Sequence, residues 1–166
     1  MICPACGFDN IQGVDECENC GADLRTVDIP RPAAGLEARL VRDHLEDVRS
    51  RAPVMIAPET PVRVAVRRMQ EDRTGCLLVG DSGRLVGIFT ERDAVLKLAG
   101  RAMEGIHVAD VMTPDPVVLR TEDTIAVAVH KMAVGDFRHI PLVEDGRVKG
   151  IVTAQDLFRH ILQILE

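Results

Sequence analysis

Two sets of residues in this chain have types and spacings that could do chemistry. The first is Cys3-Pro4-Ala5-Cys6-Gly7 with Cys17-Glu18-Asn19-Cys20-Gly21, which holds four of the five cysteines. Two residues between thiolates let both sulfurs reach one metal ion, and the glycine after each pair relieves the tight turn that aims backbone N–H groups at sulfur. Two such turns make a tetrahedral four-thiolate site suited to zinc. The second set is Thr90 with Asp93 and Thr153 with Asp156, within Gly87-Ile88-Phe89-Thr90-Glu91-Arg92-Asp93 and Gly150-Ile151-Val152-Thr153-Ala154-Gln155-Asp156. Each threonine follows a short apolar run and can cap the next helix, with the aspartate in its first turn. A hydroxyl, a carboxylate and free N–H groups then meet at a helix N-terminus, where a ribose diol and an anionic phosphate are readily held. Thr-x-x-Asp is also an ordinary capping pattern with no ligand. Its recurrence at equivalent positions is what favours a site.

Two disulfides or a redox iron would use the same cysteines. Met1-Ile2-Cys3-Pro4 lacks the basic and apolar regions of an export signal, which points to the cytoplasm and argues against disulfides. Iron is disfavoured because Phe8 is the one aromatic in residues 1–28. The segment resembles the short zinc ribbon family, with a tighter central spacing than many paired-knuckle sites. It is too short to fold on buried apolar surface alone, so the metal would supply its stability. It carries six acids (Asp9, Asp15, Glu16, Glu18, Asp23, Asp28) against Arg25, five of the six net negative charges of the chain. A nucleic-acid reader needs Lys and Arg to displace counterions from phosphates. The expected role is therefore structural, or docking of a protein partner.

The elements that must position the second set follow from the rest of the chain. With 166 residues, 46% hydrophobic and 28% charged, it suits one compact module plus a small appendage. It has no Trp and no Tyr, so the core must be built from Val, Ile, Leu, Met and Ala, and base-stacking platforms are scarce. No window approaches the ~18 apolar residues of a membrane span. Residues 29–35, with Pro30, Pro32 and Gly35, read as a linker. Leu36, Leu40, Val41, Leu45 and Val48 predict one helix over 36–48.

From His44 to Lys97 the chain aligns without a gap onto His107 to His160, at an offset of sixty-three residues. Each unit predicts strand (54–57; 117–120), helix (62–72; 125–134), strand (76–79; 139–143), tight turn, strand (85–89; 148–152) and helix (92–99; 155–165). Val62, Val66 and Met69, like Ile125, Val129 and Met132, form a buried helical stripe. Cys76 reads as a small buried hydrophobe, and His160 as a residue on the outer side of the last helix.

This tandem unit, with Val111-Met112-Thr113 before its second copy and Arg138-His139-Ile140-Pro141 within it, resembles a pair of CBS (cystathionine beta-synthase) domains over about residues 40–163. The fold class is then α/β (α+β), two β-α-β-β-α repeats behind a zinc ribbon: 1–28 ribbon, 29–35 linker, 36–103 helix plus first repeat, 104–166 second repeat. The resemblance implies a non-catalytic regulatory module whose two clefts bind adenosine compounds (AMP, ADP, ATP or S-adenosylmethionine) on behalf of an attached or partner protein. It implies ribose contacts at Thr90, Asp93, Thr153 and Asp156, and phosphate contacts at Arg138 and His139. Gly75 and Cys76 stand at the matching places of the first repeat. The cleft combining Thr90 and Asp93 with Arg138 and His139 is thus expected to be the better equipped for phosphate. The cleft of Thr153 and Asp156 is expected to lack a comparable cation pair. Apolar faces at Val95, Leu96 and Leu98 and at Leu157, Ile161, Leu162, Ile164 and Leu165 imply a homodimer. The competing reading is a dimerisation module with no physiological nucleotide.

Overall fold

The computed structural model describes residues 2–11, 14–24, 35–81 and 84–165. The linker except Gly35, and Ser82-Gly83 of the first tight turn, fall outside them. Helix α1 (Leu36–Arg42) is followed by a single 3-10 turn (Leu45–Asp47). The first repeat then runs β1 (Met55–Ile56), α2 (Val62–Glu71), β2 (Cys76–Asp81), β3 (Arg84–Thr90) and α3 (Glu91–Leu98). A short helix α4 (Val108–Val111) and strand β4 (Thr113–Pro114) lead into the second repeat, α5 (Ile125–Gly135), β5 (His139–Glu144), β6 (Arg147–Thr153) and α6 (Ala154–Leu165).

The continuous apolar runs of each repeat make an antiparallel hairpin, β2 with β3 and β5 with β6. The second hairpin turns at Asp145 and Gly146, with φ 50° and 72°. Two left-handed residues in a row are what a two-residue turn matched to strand twist requires. β1 adds in parallel to β2. Its predicted counterpart over 117–120 is reduced to a bridge from Leu119 to Leu142, and Val117 and Val118 stand exposed.

The segments ahead of the repeats are exchanged. Ahead of the second repeat, β4 pairs with β3 of the first, and His107 bridges Pro61. Ahead of the first repeat, Arg51 pairs with Ile151 of β6, and His44 bridges Thr124. Gly87 and Gly150 allow this close approach. A Cβ at Gly87 would stand 2.4 Å from Met112 Sδ, and one at Gly150 would stand 3.0 Å from Ser50 Oγ. Leu45 and Val48 accordingly join the core of the second repeat with Ile125, Met132, Ile140 and Leu157. Val108 and Val111 join that of the first, with Val62, Met69, Leu77 and Phe89. Cys76, Leu78, Ile88 and Ile151 form a third buried group that ties the two sheets together.

The predicted helix over 36–48 breaks at Asp43, whose backbone is extended. His44 then caps the 3-10 turn, its N–H donating to Asp47 Oδ2 at 3.0 Å, just as His107 N–H donates to Asp110 Oδ2 at 2.8 Å. A local capping bond competes successfully with a continuing apolar spacing. Ala65 and Ala128 share the buried stripe, from which Val129 departs to the surface. Leu98 and Leu157, expected on a dimer face, are instead core residues, whereas Val95, Leu96, Phe158, Leu162 and Leu165 stay exposed. His160 also departs from expectation. It faces α1 and pairs with Asp43 at 3.2 Å, both side chains largely buried. Burial would raise the Asp43 carboxyl, but hydrogen bonds from His160 and Arg39 hold it below its ordinary value.

Candidate functional site

Thr90 and Thr153 end the last strand of each hairpin in extended backbone and cap the following helix. In the first repeat Thr90 Oγ1 donates to Asp93 Oδ2 at 2.6 Å and Thr90 N–H to the same oxygen at 3.0 Å, while Asp93 N–H returns to Thr90 Oγ1 at 3.2 Å. The second repeat repeats this at 2.6, 3.1 and 3.2 Å between Thr153 and Asp156. The two aspartates are 7% and 4% exposed and are, with Asn10, the buried polar residues of the described chain. A buried carboxylate needs partners for both oxygens. Asp93 Oδ1 accepts from Thr113 Oγ1 at 3.2 Å and lies 2.7 Å from Lys97 Nζ. Asp156 Oδ1 accepts from Arg159 at 3.1 Å, with Arg51 Nε at 3.8 Å. Burial pushes the Asp93 carboxyl up, yet the bonds from Lys97 and Thr90 leave it below its ordinary value.

Each pair stands beside a cavity. One, of about 920 Å³, is lined by Thr90, Asp93, Lys97, Thr113, Asp115, Asp136, Phe137, Arg138 and His139 among others. The other, of about 1000 Å³, is lined by Arg51, Arg73, Gly75, Cys76, Thr153, Phe158, Arg138 and His139 among others. Asp156 lies behind its wall, bonded to Thr153. These volumes suit a small-molecule ligand. The structure thus brings Thr90 and Asp93 together with Arg138 and His139 around one cavity, and Thr153 together with Gly75 and Cys76 around the other. It does not confine Arg138 and His139 to one cavity: with Gly75 and Glu91 they form the wall between the two. The expectation that the Thr153 cleft lacks a comparable cation pair is therefore corrected, because Arg51 and Arg73 line it as well. Arg51 arrives through the segment exchange and Arg73 through the left-handed residue that ends α2. Aligned by the offset, Arg73 stands opposite Asp136, a difference readable in the sequence. Burial lowers the His139 pKa below 6.5. Burial also pushes the Cys76 thiol up to about 11, in keeping with a packed, unreactive side chain.

In the N-terminal segment the four cysteine Sγ atoms all lie within 4.8 Å of one another. Cys3 Sγ stands 3.7 Å from Cys20 Sγ, and Cys6 Sγ 3.6 Å from Cys17 Sγ. Four sulfurs about 2.3 Å from a common ion would be about 3.8 Å apart along each edge of a tetrahedron. The two knuckles are built alike, Gly7 N–H donating to Cys3 O at 2.9 Å and Gly21 N–H to Cys17 O at 2.8 Å. The thiols also compete for charge. Burial works against Cys17, yet N–H groups of Cys20 and Asn19 pull it down to about 6. Cys20, although favoured by Ala22 N–H, is pushed up to about 12 by Cys6, desolvation, Cys3 and Cys17. A divalent cation is what would let all four ionise together, so the donor set fits one.

The CBS-domain family profile matches residues 45–100 and 108–163. The CBS domain-containing protein CBSCBSPB3 of Arabidopsis thaliana is 30% identical over 115 residues, 68% of this chain. The chain spans only 21% of that relative. Among solved structures, CBSX2 in complex with AMP matches with a TM-score of 0.67 and 26% identity, covering 75% of this chain and 99% of that one. The domain pair of protein MJ0100, in complex with 5′-methylthioadenosine and S-adenosylmethionine, matches with a TM-score of 0.64 and 25% identity, covering 70% and 98%. No helix among the described residues is long and apolar enough to cross a membrane.

Proposed function

Because the chain belongs to the CBS-domain family and carries two copies in tandem, we propose that it is a regulatory module that senses adenosine compounds. The observation that carries this reading is the duplicated Thr-x-x-Asp box, with its buried carboxylate, set beside a ligand-sized cavity in each repeat. Thr90, Asp93 and Thr153 would hold ribose hydroxyls, with Asp156 orienting the Thr153 hydroxyl from behind the cavity wall, and Arg138 and His139 would meet phosphate. That similar domain pairs were solved with AMP and with 5′-methylthioadenosine and S-adenosylmethionine supports this ligand class. Cys3, Cys6, Cys17 and Cys20 would hold one zinc ion, whose charge-neutralising bonds stabilise the ribbon. The exposed apolar side chains of α3 and α6 would meet a second copy of the chain, and the acidic ribbon would dock a protein partner. The module is regulatory rather than catalytic and works in the cytoplasm.

Thermal-shift and calorimetric titration with AMP, ATP and S-adenosylmethionine tests the reading. A ligand at a hundred times its dissociation constant stabilises the folded state by about 2.7 kcal/mol, so at least one compound should raise the melting temperature by several degrees. If none binds at millimolar concentration, the dimerisation-module reading replaces this one.

A further inference from the structure

The two cavities match in backbone and differ in charge. Arg73 and Asp136, sixty-three residues apart, each follow the first helix of their repeat in the left-handed region, at φ 49° and 51°. Arg73 lines the Thr153 cavity, and Asp136 lines the Asp93 cavity. Ala52 and Asp115 are related in the same way and repeat the contrast, again one per cavity. The Thr153 cavity presents Arg51, Arg73 and Arg138 against Asp72 and Glu91. The Asp93 cavity presents Arg92, Lys97 and Arg138 against Glu91, Asp93, Asp115 and Asp136.

The cations also differ in what they are free to do. In the Asp93 cavity Arg92 is committed to Asp136, at 2.8 Å from its carboxylate and 3.0 Å from its carbonyl oxygen. Lys97 is committed to Asp93 and to the carbonyl oxygen of Val111, each at 2.7 Å. In the Thr153 cavity Arg51 stands 3.8 Å from Asp156, and Arg73 and Arg138 form no ion pair with a described residue. Phosphate recognition needs guanidinium groups whose donors are not already taken. Arg138 lines both cavities, and the side whose other two cations are arginines not committed to close ion pairs, with two acids against four, draws the anion.

Resting on the reading that both clefts bind adenosine compounds, we propose that they are specialised for opposite charge. The Thr153 cavity takes the phosphorylated ligand, and the Asp93 cavity takes an adenosyl compound without phosphate, neutral or cationic. This reverses the preference expected from Arg138 and His139 alone.

The test exchanges charge at one pair of positions. Arg73→Asp and Asp136→Arg each install the residue that the counterpart already carries in the same backbone conformation, and both side chains are exposed, so folding is not at stake. Calorimetry with ATP and with 5′-methylthioadenosine is run on the wild-type protein and both variants. The wild-type protein should bind both compounds at once. Arg73→Asp should weaken ATP by about tenfold or more and leave 5′-methylthioadenosine unchanged. Asp136→Arg should add a second ATP site per chain. ATP binding unaffected by Arg73→Asp, or two compounds that displace each other from one site, would overturn the assignment while leaving adenosine sensing intact. A wild-type protein that binds neither compound overturns the sensing reading itself, and the assignment with it.

Discussion

Replacing Asp93 by alanine removes the acceptor that closes the first capping box, and its cost can be assembled from the bonds it breaks. Loss of the cap on α3 costs about 1 kcal/mol. The bond from Thr113 to Oδ1 adds about 1 kcal/mol. Lys97 has a side chain 40% exposed, so its ion pair counts at the surface value of about 0.5–1 kcal/mol. The expected destabilisation of Asp93→Ala is therefore about 2–3 kcal/mol, a melting temperature lower by about 5–10 °C for a chain of this size. Asp93→Asn keeps an oxygen for the cap but loses the charge and sets an NH2 in place of the Oδ1 that faces Lys97 and Thr113, so it should cost about 1–2 kcal/mol. The carboxyl of Asp93 lies below its ordinary value of 3.8 because its bonds with Lys97 and Thr90 outweigh burial. A group depressed in the folded state contributes stability that is complete above its unfolded pKa and is lost as pH falls through the folded one. The difference between wild type and Asp93→Asn should accordingly shrink as calorimetric melts are taken from neutral pH down through about pH 4 and below. Equal melting of Asp93→Ala and wild type, or a gap to Asp93→Asn that widens in acid, would refute the reasoning.

Three further outcomes are expected. Cys3→Ser or Cys20→Ser should release zinc and unfold the N-terminal segment while the melt of the repeats stays unchanged; elemental analysis that found no stoichiometric zinc in wild-type protein prepared without chelator would count against the centre. Asp43→Ala should free α1 from α6, costing about 1–2 kcal/mol, and hydrogen exchange over residues 36–42 should rise by about tenfold or more. A wild-type exchange rate there as fast as in the variant would mean that the His160 contact does not hold the helix. Leu96→Glu combined with Phe158→Glu should convert a dimer into the 18.2 kDa chain by light scattering, and a wild-type protein already monomeric at micromolar concentration would remove the dimer.

What could be read from the chain alone was whatever depends on near neighbours. The apolar hairpin strands, most of the helical stripes and both Thr-x-x-Asp boxes are set by residues within a few positions of one another and stand as read, although Val129 leaves its stripe and the strand over 117–120 shrinks to one bridge. The break at Asp43 was hidden because the apolar spacing runs on through Leu45 and Val48, although the capping aspartate at Asp47 was on view. The inward turn of His160 was not readable, since its partner Asp43 lies 117 residues away. The exchanged segments belong to the same class, because a strand's partner is chosen by burial across the whole molecule. The charges of the Thr153 cavity were legible in part. Comparing the repeats for shared residues drew attention to what they keep, whereas Arg73 against Asp136 shows what they oppose.

The exchange of leading segments has a consequence for how the chain is made and cut. Contacts such as His44 with the carbonyl of Glu122 join residues 78 positions apart, and closing loops of that length slows folding. On emerging from the ribosome, the first repeat has neither Val108 nor Val111 to complete its core, and residues 36–51 have nothing to pack on. Neither half is then an independent folding unit, and a deletion ending at residue 51 should damage the second repeat more than the first, although it is the first that it adjoins. Helix α1 itself packs on α5 and α6, elements of the repeat farther from it along the chain. Any movement of α6 on filling of the Thr153 cavity would be felt at α1 without passing through the first repeat.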